Sequence, residues 1–98
     1  MNFEIAPKST EIQTNWEEAR MYCFSLNIDG KIGWRLPTKE ELNEIYQSGN
    51  DFEEWYYWSS TESNGSKAWF QNFNVGHQSS HGVKNNGNIY GRAVRDLT

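Results

Sequence analysis

The chain has 98 residues, with nine basic and thirteen acidic side chains and a net charge of −4, a length that suits one domain over residues 1–98. Lys and Arg are scattered from Lys8 to Arg95 without forming a basic stripe, which sets nucleic acid aside as a partner. Aromatic residues make up 15%, five each of Trp, Tyr and Phe, so a core built on a few large rings is expected rather than disorder.

Phe3 and Ile5 alternate with polar neighbours, the pattern of a short first strand, and residues 8–15 follow as a polar loop. A helix is expected next. Trp16, Ala19, Cys23 and Leu26 fall on one face at helical spacing, and Tyr22 widens that face. Thr14 or Asn15 can cap its start, since each is followed three residues later by a glutamate, Glu17 or Glu18. Asp29-Gly30 signals a turn. Pro37 holds the residue before it extended, so a second helix begins beyond it. Thr38 with Glu41 forms a capping box, Leu42, Ile45 and Tyr46 the buried stripe, and Gly49 the C-terminal cap.

After Asp51 the pattern turns to strands. Residues 57–61 read as one strand and residues 68–75 as another, the second with Trp69, Gln71, Phe73 and Val75 on one side. Asn64-Gly65 between them is a hairpin signal. Residues 76–88 hold almost nothing apolar and are expected to form a loop or a weak exposed hairpin, with a turn at Asn86-Gly87. Residues 90–97 read as a final strand. Strand, helix, helix and then several strands is an α+β order.

No apolar run approaches the roughly 20 residues of a membrane span. Residues 1–10 lack the basic start and apolar stretch of a signal peptide. Cytoplasmic location is the expectation, or the cell or virion surface if an upstream segment exists.

Several side chains invite a chemical reading. Trp34, Leu36, Trp58 and Trp69 are taken as core. Arg35, between apolar neighbours, is expected to pair with Glu62 or another acid. Ser59, Ser60 and Thr61 are expected to bond nearby backbone. No serine has a recognisable base and orienter, and Cys23 lies on an apolar helix face with no cation beside it, so no enzymatic activity is expected. His77 and His81 stand four apart, but Gly76 and Gly82 oppose a helix there and no third ligand is near, so zinc is not expected. Asp51, Glu53 and Glu54 read as a solvated segment rather than a calcium site. No cofactor is implied. Asn64-Gly65-Ser66 fits the glycosylation sequon and is taken as a chance match.

A family pattern runs through these residues. Trp16, Ala19, Tyr22 and Cys23 are followed by Gly33-Trp34-Arg35-Leu36-Pro37-Thr38 and Glu41-Leu42. Then come Tyr57-Trp58-Ser59-Ser60-Thr61-Glu62, Ala68-Trp69, Phe73, Gly76 and Arg92-Ala93-Val94-Arg95. In order and spacing the chain resembles the C-terminal domain family of the Legionella collagen-like protein from Trp16 to Asp96. The resemblance implies a C-type-lectin-like fold, in which first and last strands pair, two helices flank them, and long loops crown one end. Many relatives carry a cysteine in the final Arg-x-Val-Arg strand that can pair with the helix cysteine; here that position is Ala93. The Glu-Pro-Asn and Trp-Asn-Asp motifs of calcium-dependent sugar binding are absent.

The expected function is a non-catalytic binding module that takes a protein or glycan ligand at its polar loops. Trp55 and Tyr56 offer an aromatic anchor. His77, Gln78, His81, Asn85, Asn86 and Tyr90 offer hydrogen bonds. Two alternatives stay open. One is a small cytoplasmic phage or mobile-element protein whose acidic face inhibits a host protein. The other is a subunit of a larger assembly.

Overall fold

The computed structural model describes residues 1–97. Both helices begin at their caps. In α1 (Trp16–Ser25), the Asn15 side chain accepts the Glu18 backbone N–H at 2.9 Å, so Asn15 is the cap, while Thr14 donates its hydroxyl to the Glu18 carboxylate. In α2 (Lys39–Gln47), Thr38 accepts from the Glu41 N–H and Glu41 accepts from the Thr38 N–H, closing the capping box. Gly49, at φ +79°, follows the Ser48 C-cap in the left-handed region that a residue there commonly adopts.

The strands are β1 (Phe3–Ile5), β2 (Ile12–Gln13), β3 (Trp34–Arg35), β4 (Tyr56–Asn64), β5 (Lys67–Asn72), β6 (Gln78–Val83), β7 (Tyr90–Gly91) and β8 (Val94–Asp96). They form two sheets, ordered β1-β8-β3 and β2-β7-β4-β5-β6. Pairing is antiparallel except where Tyr57 of β4 meets Tyr90 of β7. The loop expected over residues 8–15 contains β2 and a 3-10 turn at Lys8–Thr10.

Strand β4 separates two cores. Successive side chains point to opposite faces, so Trp58 joins Trp16, Ala19 and Cys23 of α1 with Trp34 and Leu36, while Tyr57 joins Leu42 and Ile45 of α2 with Phe3, Phe73 and Val94. The ordinary requirement that buried polar groups be paired is met throughout: among the described residues no buried side-chain nitrogen or oxygen lacks a partner. The Trp16 and Trp58 indoles donate to the carbonyls of Ser59 and Thr14. Ser59 donates to Trp69 O and accepts from Thr61 N–H, and Thr61 accepts from Lys39 N–H. Burial of Cys23 pushes its thiol up to about 12, as expected of an inert core cysteine.

Three expectations need correction. The segment 90–97 is not one strand: β7 lies in the larger sheet and β8 in the smaller, with Arg92-Ala93 turning the corner between them. Strand β5 ends at Asn72; Trp69, Gln71 and Phe73 do lie on the α2 side, but Val75 sits in a turn and is 65% exposed. Trp69 is only half-buried, its ring covered by the Lys39 ammonium at 4.2 Å. The expected acid partner of Arg35 is not Glu62, which pairs with Lys84, but the other acids Glu41 and Asp96.

The hairpin turn falls at Gly65-Ser66, with Asn64 closing β4 opposite Lys67. Within the stretch read as loop or weak hairpin, Gln78–Val83 forms the edge strand β6. Gly82 explains how. A β-carbon there would lie 2.7 Å from the Ala68 carbonyl oxygen and 2.8 Å from both the Trp58 and Phe70 rings. Only glycine lets β6 close over those rings. Gly82→Ala is expected to destabilise the fold by about 1–3 kcal/mol through overpacking. A urea midpoint unchanged from wild type would show that the edge strand yields freely.

Arg35, on β3, ties α2 to the smaller sheet. Its guanidinium grips Glu41 with two bonds of 2.7 and 2.9 Å and Asp96 with one of 2.7 Å. The Arg35 guanidinium holds the Glu41 and Asp96 carboxyls below their usual range. A carboxyl depressed in the folded state stabilises fully above its unfolded value, about 4.3 for Glu, and loses that contribution as pH falls through the folded value. Glu41→Gln is therefore expected to cost about 1 kcal/mol at neutral pH, the solvent-screened ion pair, since glutamine can keep the capping-box acceptor. The gap to wild type should close as the pH falls below the folded value. Urea midpoints measured across acidic pH check this; a gap that stays constant would assign the loss to something other than the charge.

Candidate functional site

The segment between α2 and β4 forms the wall of an open cleft. Asn50 starts the turn, accepting the Phe52 N–H and donating to Ile45 O. The Glu53 N–H donates to the Tyr57 hydroxyl, which donates in turn to Glu11. Phe52 stacks on Phe73 with centroids 4.7 Å apart and lies under the Arg92 guanidinium. Burial raises the Tyr57 hydroxyl above the ordinary phenol range, so it stays a donor.

Buried Arg92 fastens the same wall from below. Its Nε donates to Ala6 O at 2.8 Å, and Nη1 lies 2.6 Å from Asp51 and 3.2 Å from Glu11. The Arg92 guanidinium holds the Asp51 carboxyl below its usual range. Lys8 adds a pair with Glu53 at 3.0 Å and a bond to Asp51 O.

The cleft so formed measures about 600 Å³ and is lined by Gln13, Phe52, Glu53, Glu54, Trp55 and Tyr90. That volume is within the range of small-ligand sites, roughly 300–1,000 Å³. Trp55 is 45% exposed, yet its position is fixed. Its indole N–H donates to Asn88 O at 3.0 Å, the carbonyl that also accepts from the Gln13 amide, and Tyr56 packs against the ring. Glu54 is exposed and makes no ion pair among the described residues.

Of the eight residues singled out in the sequence, the structure brings Trp55, Tyr56 and Tyr90 together here, with Trp55 and Tyr90 lining the cleft. The others lie elsewhere. Gln78 donates its amide to Lys39 O and to the buried Gln71, joining β6 to α2. His77 is exposed, and its carbonyl accepts the Asn72 N–H. His81 is exposed on β6. Asn86 caps its own turn by accepting the Asn88 N–H. Asn85 lines a separate shallow cleft with Lys84 and the Gly65-Ser66 turn.

Sequence reasoning missed Gln13 and Phe52, and passed over Glu53 and Glu54 as a solvated run. The available signal was their adjacency to Trp55. It also missed an apolar groove of about 450 Å³ beside α1, lined by Met21, Phe24 and Leu36 with Arg20, Arg35 and Ser60. Met21 is 64% and Phe24 78% exposed there. Among the described residues no group of three or more His, Cys, Asp or Glu is placed to hold a metal ion, and no helix is long and apolar enough to cross a membrane.

Two helices on opposite faces of a mostly antiparallel sheet, with a smaller sheet joining the chain ends, make this an α+β domain with a polar, aromatic-walled surface cleft. The chain belongs to the Lcl C-terminal domain family, whose pattern matches residues 4–95. No curated protein matches it.

Proposed function

We propose that the protein is a non-catalytic recognition module of C-type-lectin-like fold that binds a saccharide in the Trp55 cleft. The antiparallel pairing of β1 with β8, which brings the chain ends together beside two helices, supports that fold. One observation carries the ligand reading: a partly exposed indole is held rigid on the wall of a ligand-sized cleft whose remaining lining is largely hydrogen-bonding. An aromatic face offers apolar area to sugar C–H groups at little conformational cost, and Gln13, Glu53, Glu54 and Tyr90 can meet hydroxyls.

Trp55→Ala is expected to weaken saccharide binding by about 2 kcal/mol, the scale of an aromatic hot spot, while changing stability little. A glycan array followed by titration of the best ligand checks it. Undiminished affinity in the variant would remove the cleft from consideration.

A protein ligand is the second reading, favoured by the exposure of Met21 and Phe24 at the apolar groove. Under that reading Phe24→Asp abolishes capture of the partner, and Trp55→Ala does not.

A further inference from the structure

We infer that the Trp55 cleft selects a saccharide bearing a protonated amine over neutral or anionic sugars; the inference rests on the saccharide reading above and adds the ligand's charge. The side chains of the cleft wall and those fastening it include four carboxylates, Glu11, Asp51, Glu53 and Glu54. They face two cations, Lys8 and Arg92. Arg92 is buried and held by Glu11 and Asp51, and Lys8 is held by Glu53 and the Asp51 carbonyl. Neither cation is among the residues lining the cleft. The lining presents two carboxylates, of which Glu54 has no counter-ion among the described residues.

An ammonium entering this space meets three favourable features at once. Glu54 supplies a free opposite charge, an attraction that salt screens because the carboxylate is exposed. The Trp55 indole, oriented by its bond to Asn88 O, offers the π face that best attracts a cation. The amide oxygen of Gln13 and the Tyr90 hydroxyl are left to accept from the sugar, because the Gln13 amide nitrogen already donates to Asn88 O. A sulfated or carboxylated sugar meets the same carboxylates as repulsion.

The test compares glucosamine tetramer with its N-acetylated counterpart, titrated against the full chain at low ionic strength and mildly acidic pH. The two differ in the charge of the amine and share the backbone of the sugar. The amine form is expected to bind about tenfold more tightly, equivalent to about 1.4 kcal/mol. Added salt should narrow that ratio, and Glu54→Gln should bring it to about one by weakening the amine form more than the acetylated form. Equal affinities, or tighter binding of the acetylated form, would overturn the charge selection and leave the saccharide reading standing. A preference that survives both Glu54→Gln and Glu53→Gln would place the amine outside this cleft and overturn the inference. Failure of both tetramers to bind, with the Trp55 indole resonance unmoved, would overturn the inference, and a glycan array without hits would take the saccharide reading with it.

Discussion

Replacing Trp58 by alanine is expected to cost about 3–5 kcal/mol, the range for truncating a large buried ring. That is a large part of the roughly 5–15 kcal/mol that holds a domain of this size folded. Trp58 is fully buried, spans the core between β4 and α1, and lies directly under Gly82 of the edge strand. Its removal leaves a cavity that neither neighbour can fill. Gly82 has no side chain to move, and Phe70 already packs edge-on to Trp58, Tyr56 and the β6 backbone. The Thr14 carbonyl also loses its donor. Trp58→Phe separates the two contributions. It keeps much of the ring volume and loses the N–H, so about 1–3 kcal/mol of the total should remain as the cost of the unsatisfied carbonyl. Chemical unfolding followed by far-UV circular dichroism gives both values. A loss below about 1 kcal/mol for Trp58→Ala would mean that this core collapses around the gap, against the usual behaviour of large-to-small changes.

The parts of this fold that could be read in the sequence are those set by local chemistry. Thr38 and Glu41 announce the start of α2 because both halves of the capping box lie within one turn. Asn15 and the spacing of Trp16, Ala19 and Cys23 do the same for α1. The unreadable parts are decided by distant partners. Only Gly91 hints at a break in Tyr90-Gly91-Arg92-Ala93-Val94, since no proline and no two-residue turn motif interrupts it. The break arises because β2 and β4 claim β7 while β1 and β3 claim β8. Likewise β6 lacks apolar content and becomes a strand through its ladder to β5 and the room that Gly82 leaves. The same logic scattered the candidate site residues. Polar side chains in loops look alike in sequence, and only tertiary placement separates Gln78, bonded into the α2 junction, from Tyr90, which lines the cleft. Trp55 was legible because it follows two carboxylates on a short connection, where a large ring can stay partly exposed.

Arg92 joins the stability of the fold to the shape of the cleft, and Arg92→Leu is expected to cost about 3–5 kcal/mol, the penalty for removing one partner of a buried pair. The cost falls chiefly on Glu11, whose side chain is only 9% exposed, because Asp51 at 63% can turn to water. Ala6 O loses its donor as well, at the point where β1 leads into the 3-10 turn. Arg92→Lys keeps the charge but cannot reach Ala6 O, Glu11 and Asp51 together from a single ammonium, so it should recover only part of the loss. The pair Arg92→Leu with Glu11→Gln removes the uncompensated charge. It is expected to be less destabilised than the sum of the two single changes, with a coupling of about 1–3 kcal/mol. The functional consequence is separable from the stability. With Arg92 gone, Phe52 loses the cation above its ring and Asp51 its anchor, so the wall carrying Trp55 should loosen before the fold is lost. Acrylamide quenching reads this directly under native conditions, because Trp55 is the most exposed of the five indoles. Quenching should rise in Arg92→Lys while the circular dichroism spectrum stays native. If quenching stays at the wild-type level in a destabilised variant, Arg92 holds the core together without shaping the cleft.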